Sequence, residues 1–516
     1  MLFCFAFPCY SAEKPKVGET VYHISFSGAD SLNGFSGSGK LASDAEKKVL
    51  FFDIPSTEKT GKSVSMISKL PIEKLRGTRI RVAARIKAEN VEKPPQAWNG
   101  VKCMIHSKSA TGDQWQQKDG VIGTFDWTIV EFNALIDQET TDAELVLGIE
   151  NSSGKAWFDE ITITTIGVQR MRPAVPKGVF GSVYRGHSQP RLRGVMIQPK
   201  TFEEEDLNVL ARWGVNHVRW QFLWDGFPNG PADTATVEEY NDWIEKECQK
   251  LDRILPMCKD RGVFVVVDVH TPPGGRLKNS DMRMFKEKEF QTAFLDVWEK
   301  LAKRYKGNEA VWGYDLLNEP VEGTIPPNSG ILDWRELAVE AIERIRAIDS
   351  DRAIIVETAP WGGPEGFDWF EPIDAKNIVY SAHLYLPHKF THQGVHDTAS
   401  IGLKYPGEVD GKFWNKEQLR KALKPVIDFQ NDYGVHFYLG EFSAIRWAPP
   451  GTGRQYLSDC VDLFEEYGWD WAYHAFREWN GWSLEHSGDR ADNKPTTEPT
   501  DRLLLMQSWF EMNRKK

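Results

Sequence analysis

Two short stretches, VWGYDLLNEP (311–320) and VHFYLGEFS (435–443), decide the fold of the second part of the chain. Each begins as a run of apolar and aromatic residues, typical of a buried strand, and ends in a polar segment that carries a glutamate. Six further runs of this kind follow residue 190: RGVMI (193–197), VNHVRWQF (215–222), GVFVVVDVH (262–270), AIIVETA (353–359), NIVYSAHLY (377–385) and WDWAYHAF (469–476). Eight such strands, separated by longer segments, predict a (β/α)8 TIM barrel over residues 191–516. A doubly wound sheet would explain the alternation but not the number of strands.

Two of the segments between strands show helical spacing. Their apolar residues recur at i, i+4, i+7 and i+8: Phe290, Phe294, Val297 and Trp298 in one, and Leu419, Leu423, Val426 and Ile427 in the other. Gly307 and Gly434 stand where helix C-caps belong. Each segment is therefore predicted to form one amphipathic helix.

The first part of the chain follows a different pattern. Period-two alternation of apolar and polar residues predicts an all-β jelly-roll sandwich over residues 13–167, with strands in VYHISF, KVLFFDI, RIRVAARI, GVKCMIHS, WTIVEFNAL, AELVLGIE and AWFDEITIT. Trp98, Trp115 and Trp127 are candidates for an aromatic platform, although each could equally pack in the core. The segment 168–190, rich in Gly, Pro and basic residues, predicts a linker.

The amino-terminal stretch MLFCFAFPCYSA (1–12) is an apolar run that ends in small residues before a charged segment. This pattern is typical of the later part of a secretory signal, so we expect a secreted or periplasmic protein. Since the sequence has no run near the ~20 apolar residues that span a bilayer, we expect no membrane partner.

Composition narrows the range of partners. The chain has 63 Lys and Arg against 74 Asp and Glu, a formal net charge of −11 that disfavours nucleic acid. It also has 20 Trp, whose flat faces suit sugar rings, so a neutral polysaccharide or oligosaccharide is the favoured ligand. The four cysteines after the leader lack zinc-site spacing. We therefore expect neither a metal nor another cofactor. We also expect a monomeric chain.

Glu319 and Glu441 end the fourth and seventh predicted strands. In such a barrel the carboxyl ends of the strands face one mouth, so the two carboxylates are predicted to share a cleft. Hydrolysis of a glycosidic bond needs such a pair, because one carboxyl protonates the leaving oxygen while the other attacks or activates water. Either glutamate alone could instead cap a helix or pair with an arginine. Together they favour glycoside hydrolysis.

These motifs resemble glycoside hydrolase family 5, the cellulase and mannanase family with catalytic carboxylates on strands four and seven. The resemblance covers about 191–516 and implies a retaining β-glycoside hydrolase with Glu319 as acid/base and Glu441 as nucleophile. The positions that match its supporting residues are Arg219, His270, Asn318, His383 and Tyr385. The run GKAWFDEITIT (154–164) likewise resembles the last strands of jelly-roll carbohydrate-binding modules.

The resemblance also implies a task for each supporting residue. Arg219 and Tyr385 would hydrogen-bond the nucleophile and keep it ionised and oriented. Asn318 would bind the sugar 2-hydroxyl, a contact that strengthens in the transition state. His270 and His383 would line the subsite where cleavage occurs.

The eighth strand departs from the family pattern. Relatives commonly place a Trp at its end, whereas this chain has His474 and Phe476 in the strand and Trp479 and Trp482 beyond it. The expected sugar platforms are therefore Trp479 and Trp482, together with Trp361 after the fifth strand.

Two other functions fit parts of the sequence. A non-catalytic polysaccharide-binding protein would keep the barrel, but drift would be expected to erase some of the site residues. A phosphate-binding barrel enzyme would need a Gly-rich anion loop after strands seven and eight, for which GTG (451–453) is a weak match. His388, His392 and His396 are predicted to form a cleft wall rather than a metal site, because no acidic or Cys partner accompanies them.

Overall fold

A computed structural model describes most of the chain, as two compact units, Met1–Met171 and Arg172–Lys516. The described residues are 15–28, 30–44, 47–56, 63–109, 112–138, 140–168, 184–323, 325 and 329–514. The predicted leader (1–12) and residues 169–183 of the predicted linker lie outside them. None of the helices among the described residues is long and apolar enough to cross a membrane.

The first unit is built from two antiparallel sheets. Its strands are β1 (Thr20–Ser25), β2 (Phe35–Gly37), β3 (Lys40–Asp44), β4 (Lys47–Ile54), β5 (Ser63–Lys69), β6 (Thr78–Val91), β7 (Gly100–Ser109), β8 (Gly112–Gln117), β9 (Gly123–Ile136), β10 (Thr140–Glu150) and β11 (Gly154–Val168). One sheet has the order β3-β4-β11-β6-β9 with β1 also paired to β11, and the other has the order β2-β5-β10-β7-β8. The single described helix of this unit, α1 (Ile72–Leu75), is one turn long.

The core of this unit follows from the alternation in its strands. Along β6 the residues are buried and half-buried in turn, because successive side chains of a strand point to opposite faces. Leu50 and Val82 of one sheet and Ile105 and Leu145 of the other belong to the same buried cluster. The predicted all-β fold is confirmed, and the short strands β2, β3, β5 and β8 were not predicted.

The three Trp residues of the sandwich do not share one face, contrary to the expected platform. Trp98 and Trp115 lie by the five-stranded sheet and are 55% and 61% exposed. Trp127 lies on β9 of the six-stranded sheet, where its indole N–H donates to Asp44 Oδ2 (2.7 Å) and the Arg85 guanidinium lies 4.9 Å above its ring. Sequence periodicity does not reveal which sheet a strand joins, so this separation could not be seen beforehand.

The second unit is a closed barrel of eight parallel strands. They are β12 (Arg193–Ile197), β13 (His217–Gln221), β14 (Phe264–Asp268), β15 (Val311–Asp315), β16 (Ala353–Glu357), β17 (Ile378–Leu384), β20 (His436–Phe442) and β21 (Asp470–Phe476), and the hairpin β18 (Gly407–Val409) and β19 (Lys412–Trp414) stands apart. The ring closes where β21 pairs with β12. All eight predicted strands are present, and the predicted TIM barrel is confirmed.

The helices of this unit are α2 (Glu204–Trp213), α3 (Val237–Asp260), α4 (Lys288–Tyr305), α5 (Trp334–Arg346), α6 (His388–Thr391), α7 (Lys416–Ala422), α8 (Lys424–Tyr433), α9 (Thr452–Tyr467) and α10 (Asp501–Phe510). One predicted helix is wrong in detail. The apolar series that begins at Leu419 is divided between α7 and α8, which meet at Leu423, because Pro425 has no N–H to continue a helix and suits the first turn of a new one. Gly434 ends α8 in the left-handed conformation, as predicted.

An ionic cluster closes the amino-terminal end of the barrel. Asp470 begins β21 and is fully buried, and its Oδ2 accepts hydrogen bonds from His187 Nε2 (2.6 Å) and His436 Nε2 (2.7 Å). Its Oδ1 accepts the backbone N–H of Leu192 (2.7 Å). Burial opposes the charge, but the two histidines hold the pKa of Asp470 well below its ordinary value. The carboxylate therefore fixes β21 to β20 and to the chain that enters the barrel.

Replacing this buried acceptor should destabilise the barrel strongly. We expect Asp470→Ala to lower the free energy of unfolding by about 3–5 kcal/mol, because it leaves two buried imidazoles without their partner. Urea-induced unfolding followed by hydrogen exchange of barrel peptides would measure the loss. Asp410→Ala, which removes an exposed ion pair with Lys389, is the matched control and should cost no more than ~1 kcal/mol. Equal losses in the two variants would contradict this role of Asp470.

Candidate active site

Arg219 is the charged centre of the barrel mouth. It projects from β13 and is fully buried. Its guanidinium donates from Nε to Asp315 Oδ2 (2.8 Å), from Nη1 to Glu441 Oε1 (2.7 Å), and from Nη2 to Asn318 Oδ1 (3.1 Å) and Glu357 Oε1 (3.0 Å). These partners belong to different strands or the loops after them, so one side chain ties much of the mouth together.

The charge of Arg219 is permanent. Burial disfavours the cation, but the carboxylates around it, beginning with Asp268 and Asp315, raise the pKa of Arg219 well above its ordinary value. Arg219 therefore holds its positive charge at the base of the cleft at any pH at which the protein is folded.

Glu441 lies on β20 and receives donors on both oxygens. Oε1 accepts from Arg219, and Oε2 accepts the Tyr385 hydroxyl at 2.8 Å. His474 Nδ1 and His383 Nδ1 lie 3.2 and 3.8 Å from Oε2. Burial opposes ionisation, but His383, His474 and Arg219 hold the pKa of Glu441 well below its ordinary value. Glu441 is consequently an oriented carboxylate.

Glu319 follows β15 and is the more accessible of the two glutamates, with 23% of its side chain exposed. Its backbone is in the left-handed region, with φ of 47°, which is uncommon for a residue other than glycine. Two contacts fix this conformation: the Glu319 N–H donates to Glu357 Oε2 (2.8 Å), and its carbonyl accepts from Arg276 Nη2 (2.8 Å). The backbone is thus held in a conformation that turns the carboxyl toward the cleft.

His383 connects the two glutamates. Its Nδ1 lies 2.9 Å from Glu319 Oε1, and its Nε2 lies 3.0 Å from Glu357 Oε1. Burial opposes protonation, but Glu357 and Glu441 raise the pKa of His383 well above its ordinary value. In the register of the sheet His383 is directly opposite Glu441, which explains why both face the mouth. One oxygen each of Glu319 and Glu441 and one nitrogen of His383 lie within 4.8 Å of one another.

Asn318 and His270 complete the set predicted from the sequence. The side-chain carbonyl of Asn318 accepts from Arg219, which leaves the amide NH2 as the group that can donate elsewhere. His270 follows β14, and its Nδ1 lies 2.9 Å from Asp268 Oδ2. That contact orients the ring and leaves Nε2 as the other polar atom of the imidazole. Six of the seven predicted polar residues therefore lie at or directly after the carboxyl ends of barrel strands, and Arg219, the middle residue of β13, reaches the mouth through its side chain.

The three Trp residues predicted as sugar platforms differ in exposure. Trp361 and Trp479 are 43% and 40% exposed, whereas Trp482 is 7% exposed. The ring of Trp482 packs against Tyr385 (6.0 Å between centroids) and His392 (4.9 Å). Trp361 and Trp479 thus offer an open ring face, and Trp482 mainly supports residues behind the cleft.

The three histidines after β17 form a stack. The rings of His388 and His392 are 3.8 Å apart and nearly parallel, and His396 is 6.0 Å from His388 at an angle of 8°. Burial lowers the pKa of His392 to about 3, so this ring is neutral at ordinary pH. Because His392 also packs on Tyr385 and Trp482, the stack backs the mouth of the barrel, consistent with the expected cleft wall.

Several residues of the site were not predicted from the sequence. Asp268, Asp315 and Glu357 are buried carboxylates, and each is the last residue of a barrel strand. A signal was available, since each is the first acidic residue after an apolar run in VVVD, VWGYD or AIIVE. Arg276 and Glu478 lie in loops, where periodicity gives no indication of proximity to the site.

The arrangement combines two carboxyl groups in different surroundings. Glu441 is buried, surrounded by cations and donors, and ionised, whereas Glu319 is partly exposed and paired with one histidine. A pair with such unequal environments can divide the roles of nucleophile and proton donor.

Comparison with known proteins matches this chain to a protein family. The family model described as Cellulase (glycosyl hydrolase family 5) matches residues 183–480. Endoglucanase C from Acetivibrio thermocellus is 31% identical over 326 residues, which cover 58% of this chain and 90% of that protein. Cellodextrinase A from Ruminococcus flavefaciens is 26% identical over 285 residues, which cover 54% of this chain and 79% of that protein. A crystal structure of endoglucanase Cel5A from Thermotoga maritima is 25% identical, covers 61% of this chain and 96% of its own, and has a TM-score of 0.47.

The contact between Glu357 and the backbone of Glu319 gives a test of the site. We expect Glu357→Gln to lower kcat about 100-fold, because a displacement of a reacting group by 1 Å can cost that much. The substitution keeps the size of the side chain but removes the charge that faces Arg219 and His383. Initial rates on a soluble oligosaccharide would measure the effect, with circular dichroism to confirm folding. Glu340→Gln, on the surface of α5, is the control; an unchanged rate for Glu357→Gln would contradict the assigned role.

Proposed function

The chain belongs to the Cellulase family, glycosyl hydrolase family 5, and we propose on this basis that its barrel hydrolyses a β-glucan with retention of configuration. The observation that carries the proposal is the short separation of the two glutamates, one oxygen of each lying within 4.8 Å of the other. Retaining enzymes hold their carboxyl groups roughly 5–5.5 Å apart, whereas inverting enzymes leave roughly 6.5–9.5 Å for a water molecule. The 4.8 Å limit applies to the nearest oxygens rather than to the carboxyl centres, and together with the orientation of Glu441 by donors on both of its oxygens it favours double displacement.

In the first step Glu441 attacks the anomeric carbon while Glu319 gives its proton to the departing glycosidic oxygen. In the second step Glu319 takes a proton from water, the water oxygen attacks the anomeric carbon, and the bond to Glu441 breaks. Arg219 and Tyr385 orient Glu441 through their hydrogen bonds to its two oxygens. The free amide of Asn318 binds the 2-hydroxyl of the reacting sugar, while His270 and His383 line the same subsite.

A β-glucan is the favoured substrate because an endoglucanase and a cellodextrinase are among the similar proteins. Mannan is the second candidate, since mannose differs from glucose at one hydroxyl. Trp361 and Trp479 supply open aromatic faces on which sugar rings can stack. The rival function, a polysaccharide-binding protein without turnover, is disfavoured by the intact pair of glutamates and the supporting residues around it.

Export follows from the proposed substrate. A polymer too large to enter a cell has to be met outside it or in the periplasm, and residues 1–12 have the pattern of a signal. We expect the chain to act as a monomer, because all the groups assigned to the reaction come from one barrel.

We further assign a sugar-binding role to the sandwich predicted over residues 13–167. Trp98 and Trp115 present large exposed rings by the same sheet, and the His106 ring stacks on Trp115 at 5.2 Å and 4°. Gln117, two residues along β8 from Trp115, donates to the Trp98 carbonyl (2.8 Å) and so places the two aromatic residues at one sheet edge. Exposed Trp faces among polar side chains suit a glycan chain, because its sugar rings have apolar faces and hydroxyl edges.

The nucleophile assignment has a chemical test. We expect Glu441→Ala to lower kcat by at least about 10⁴-fold on a β-glucan oligosaccharide, because no carboxylate remains to form the glycosyl-enzyme. Azide should restore activity and give a glycosyl azide of inverted configuration, which NMR of the product would identify. Glu319→Ala should instead give a retained azide product from a substrate with an activated leaving group. Normal turnover by Glu441→Ala would contradict the proposed mechanism.

The sandwich assignment is tested with an insoluble substrate. We expect the double variant Trp98→Ala, Trp115→Ala to bind insoluble β-glucan about tenfold more weakly, because two stacking faces worth ~0.5–1.5 kcal/mol each are lost. Binding would be measured with Glu441→Ala in the background so that the polymer is not consumed. Trp127→Phe on the other sheet is the matched control and should bind normally. Activity of the double variant on soluble oligosaccharides should be unchanged, and undiminished binding to the polymer would exclude this surface.

A further inference from the structure

His474 lies beside the nucleophile on the last barrel strand. It projects from β21, and 13% of its side chain is exposed. Its Nδ1 lies 3.2 Å from Glu441 Oε2 and also contacts the Tyr385 hydroxyl. Its Nε2 lies 3.3 Å from both oxygens of Glu478, whose Oε2 also accepts from Gln221 Nε2 at 2.6 Å. The imidazole therefore bridges two carboxylates, and one of them is the proposed nucleophile.

The contacts on both ring nitrogens fix the protonation of His474. A neutral imidazole has one N–H and one lone pair, so one of its nitrogens would present a lone pair to a carboxylate oxygen. Only the imidazolium can donate from Nδ1 toward Glu441 and from Nε2 toward Glu478. The Tyr385 hydroxyl does not compete for this role, since its proton is donated to Glu441.

The surroundings of His474 agree with a charged ring. Glu441 faces it from β20, Glu478 faces it from the loop after β21, and the Trp482 ring lies 5.9 Å away. His270 is a further titratable group of this region, and it acts on Glu478. Burial opposes protonation, but Glu478 and Glu441 raise the pKa of His474 to about 10.

We propose that His474 is a positioning residue that places a further fixed positive charge on the nucleophile, beside those of Arg219 and His383, and that Glu478 holds this charge in place. The inference rests on the proposed function and adds a specific property to it. Arg219 neutralises one oxygen of Glu441, and His474 acts on the other, the oxygen that Tyr385 also contacts. The eighth barrel strand, where the family pattern has an aromatic residue, thus supplies a positive charge beside Glu441 in this chain.

Such a charge acts differently on the two chemical steps. When Glu441 forms its bond to the sugar it loses its negative charge, and when the glycosyl-enzyme is hydrolysed it regains that charge. A cation beside the carboxylate therefore stabilises the transition state for release relative to the covalent intermediate. It also lowers the pH at which Glu441 takes up a proton. His474 should consequently extend activity to acidic pH and prevent the intermediate from accumulating.

The matched test is His474→Asn, which keeps a donor near the position of Nδ1 but has no charge. We expect the acidic limb of the kcat/KM profile to move up by about one pH unit or more, since an opposite charge at this distance shifts a carboxyl pKa by about 1–3 units. We also expect a larger pre-steady-state burst with an activated aryl glycoside, because release slows more than formation of the intermediate. Mass spectrometry of the quenched enzyme should then show more of the covalent adduct.

Two further variants keep the test decisive. Glu478→Gln removes the anchor of the imidazolium but not the ring, and should move the acidic limb in the same direction by a smaller amount. It also serves if His474→Asn does not fold. His486→Asn, a histidine whose Nδ1 contacts the Ser483 hydroxyl, is the matched control and should leave the profile unchanged.

The outcomes separate the inference from the function on which it rests. If His474→Asn and Glu478→Gln only reduce activity, with the acidic limb and the burst unmoved, His474 is structural and the inference is overturned. If Glu441→Ala is not rescued by azide, the proposed nucleophile is wrong, whatever the histidine variants do. Rescue of Glu441→Ala together with a displaced limb in His474→Asn supports both.

Discussion

The burial of the Arg219 charge is the constraint on which the rest of the mouth depends. A guanidinium without solvent is tolerated only where carboxylates and hydrogen-bond acceptors surround it, and Arg219 finds them across the barrel, on β15, β16 and β20. Asp315 and Glu357 satisfy it from within the barrel wall, and Glu441 satisfies it toward the cleft. Glu441, the proposed nucleophile, is thus part of the network that balances the charge inside the barrel, and its orientation is set by folding itself.

The buried charge of Arg219 also places the two glutamates in different surroundings. Glu441 is fixed by Arg219, Tyr385 and His474, whereas Glu319 is fixed mainly through its backbone, by Glu357 and Arg276. A carboxylate held by donors on both oxygens is a poor proton carrier but an oriented nucleophile. The Glu319 carboxyl contacts His383 and is 23% exposed, so solvent can reach it, which suits a group that gives and recovers a proton within one turnover.

The sequence predicts those features of the molecule whose residues lie close together along the chain. It does not predict contacts between residues that only folding brings together. The eight barrel strands were predictable because each is a continuous apolar run, and Glu319 and Glu441 because each ends such a run. The division between α7 and α8 was missed because apolar spacing continues across Leu423, although Pro425 marks the new start. Glu357 and His474 were missed as site residues because their partners are brought to them only by closure of the barrel. Trp127 was named with Trp98 and Trp115 as a candidate for one platform because the sequence does not show that it lies on the other sheet.

Arg276 is one of two links between the Trp361 ring and the loop that carries Glu319. Its guanidinium lies 4.6 Å from the centre of the Trp361 ring and donates to the carbonyl of Glu319, while the backbone N–H of Trp361 donates to the carbonyl of Pro320 (3.1 Å). A sugar ring resting on Trp361 would therefore press on the same short loop that carries Glu319, the proposed acid/base. For the proposed reaction we expect occupancy of the aromatic wall to affect the alignment of the proton donor, so that a substrate too short to reach that wall loses reaction rate as well as affinity.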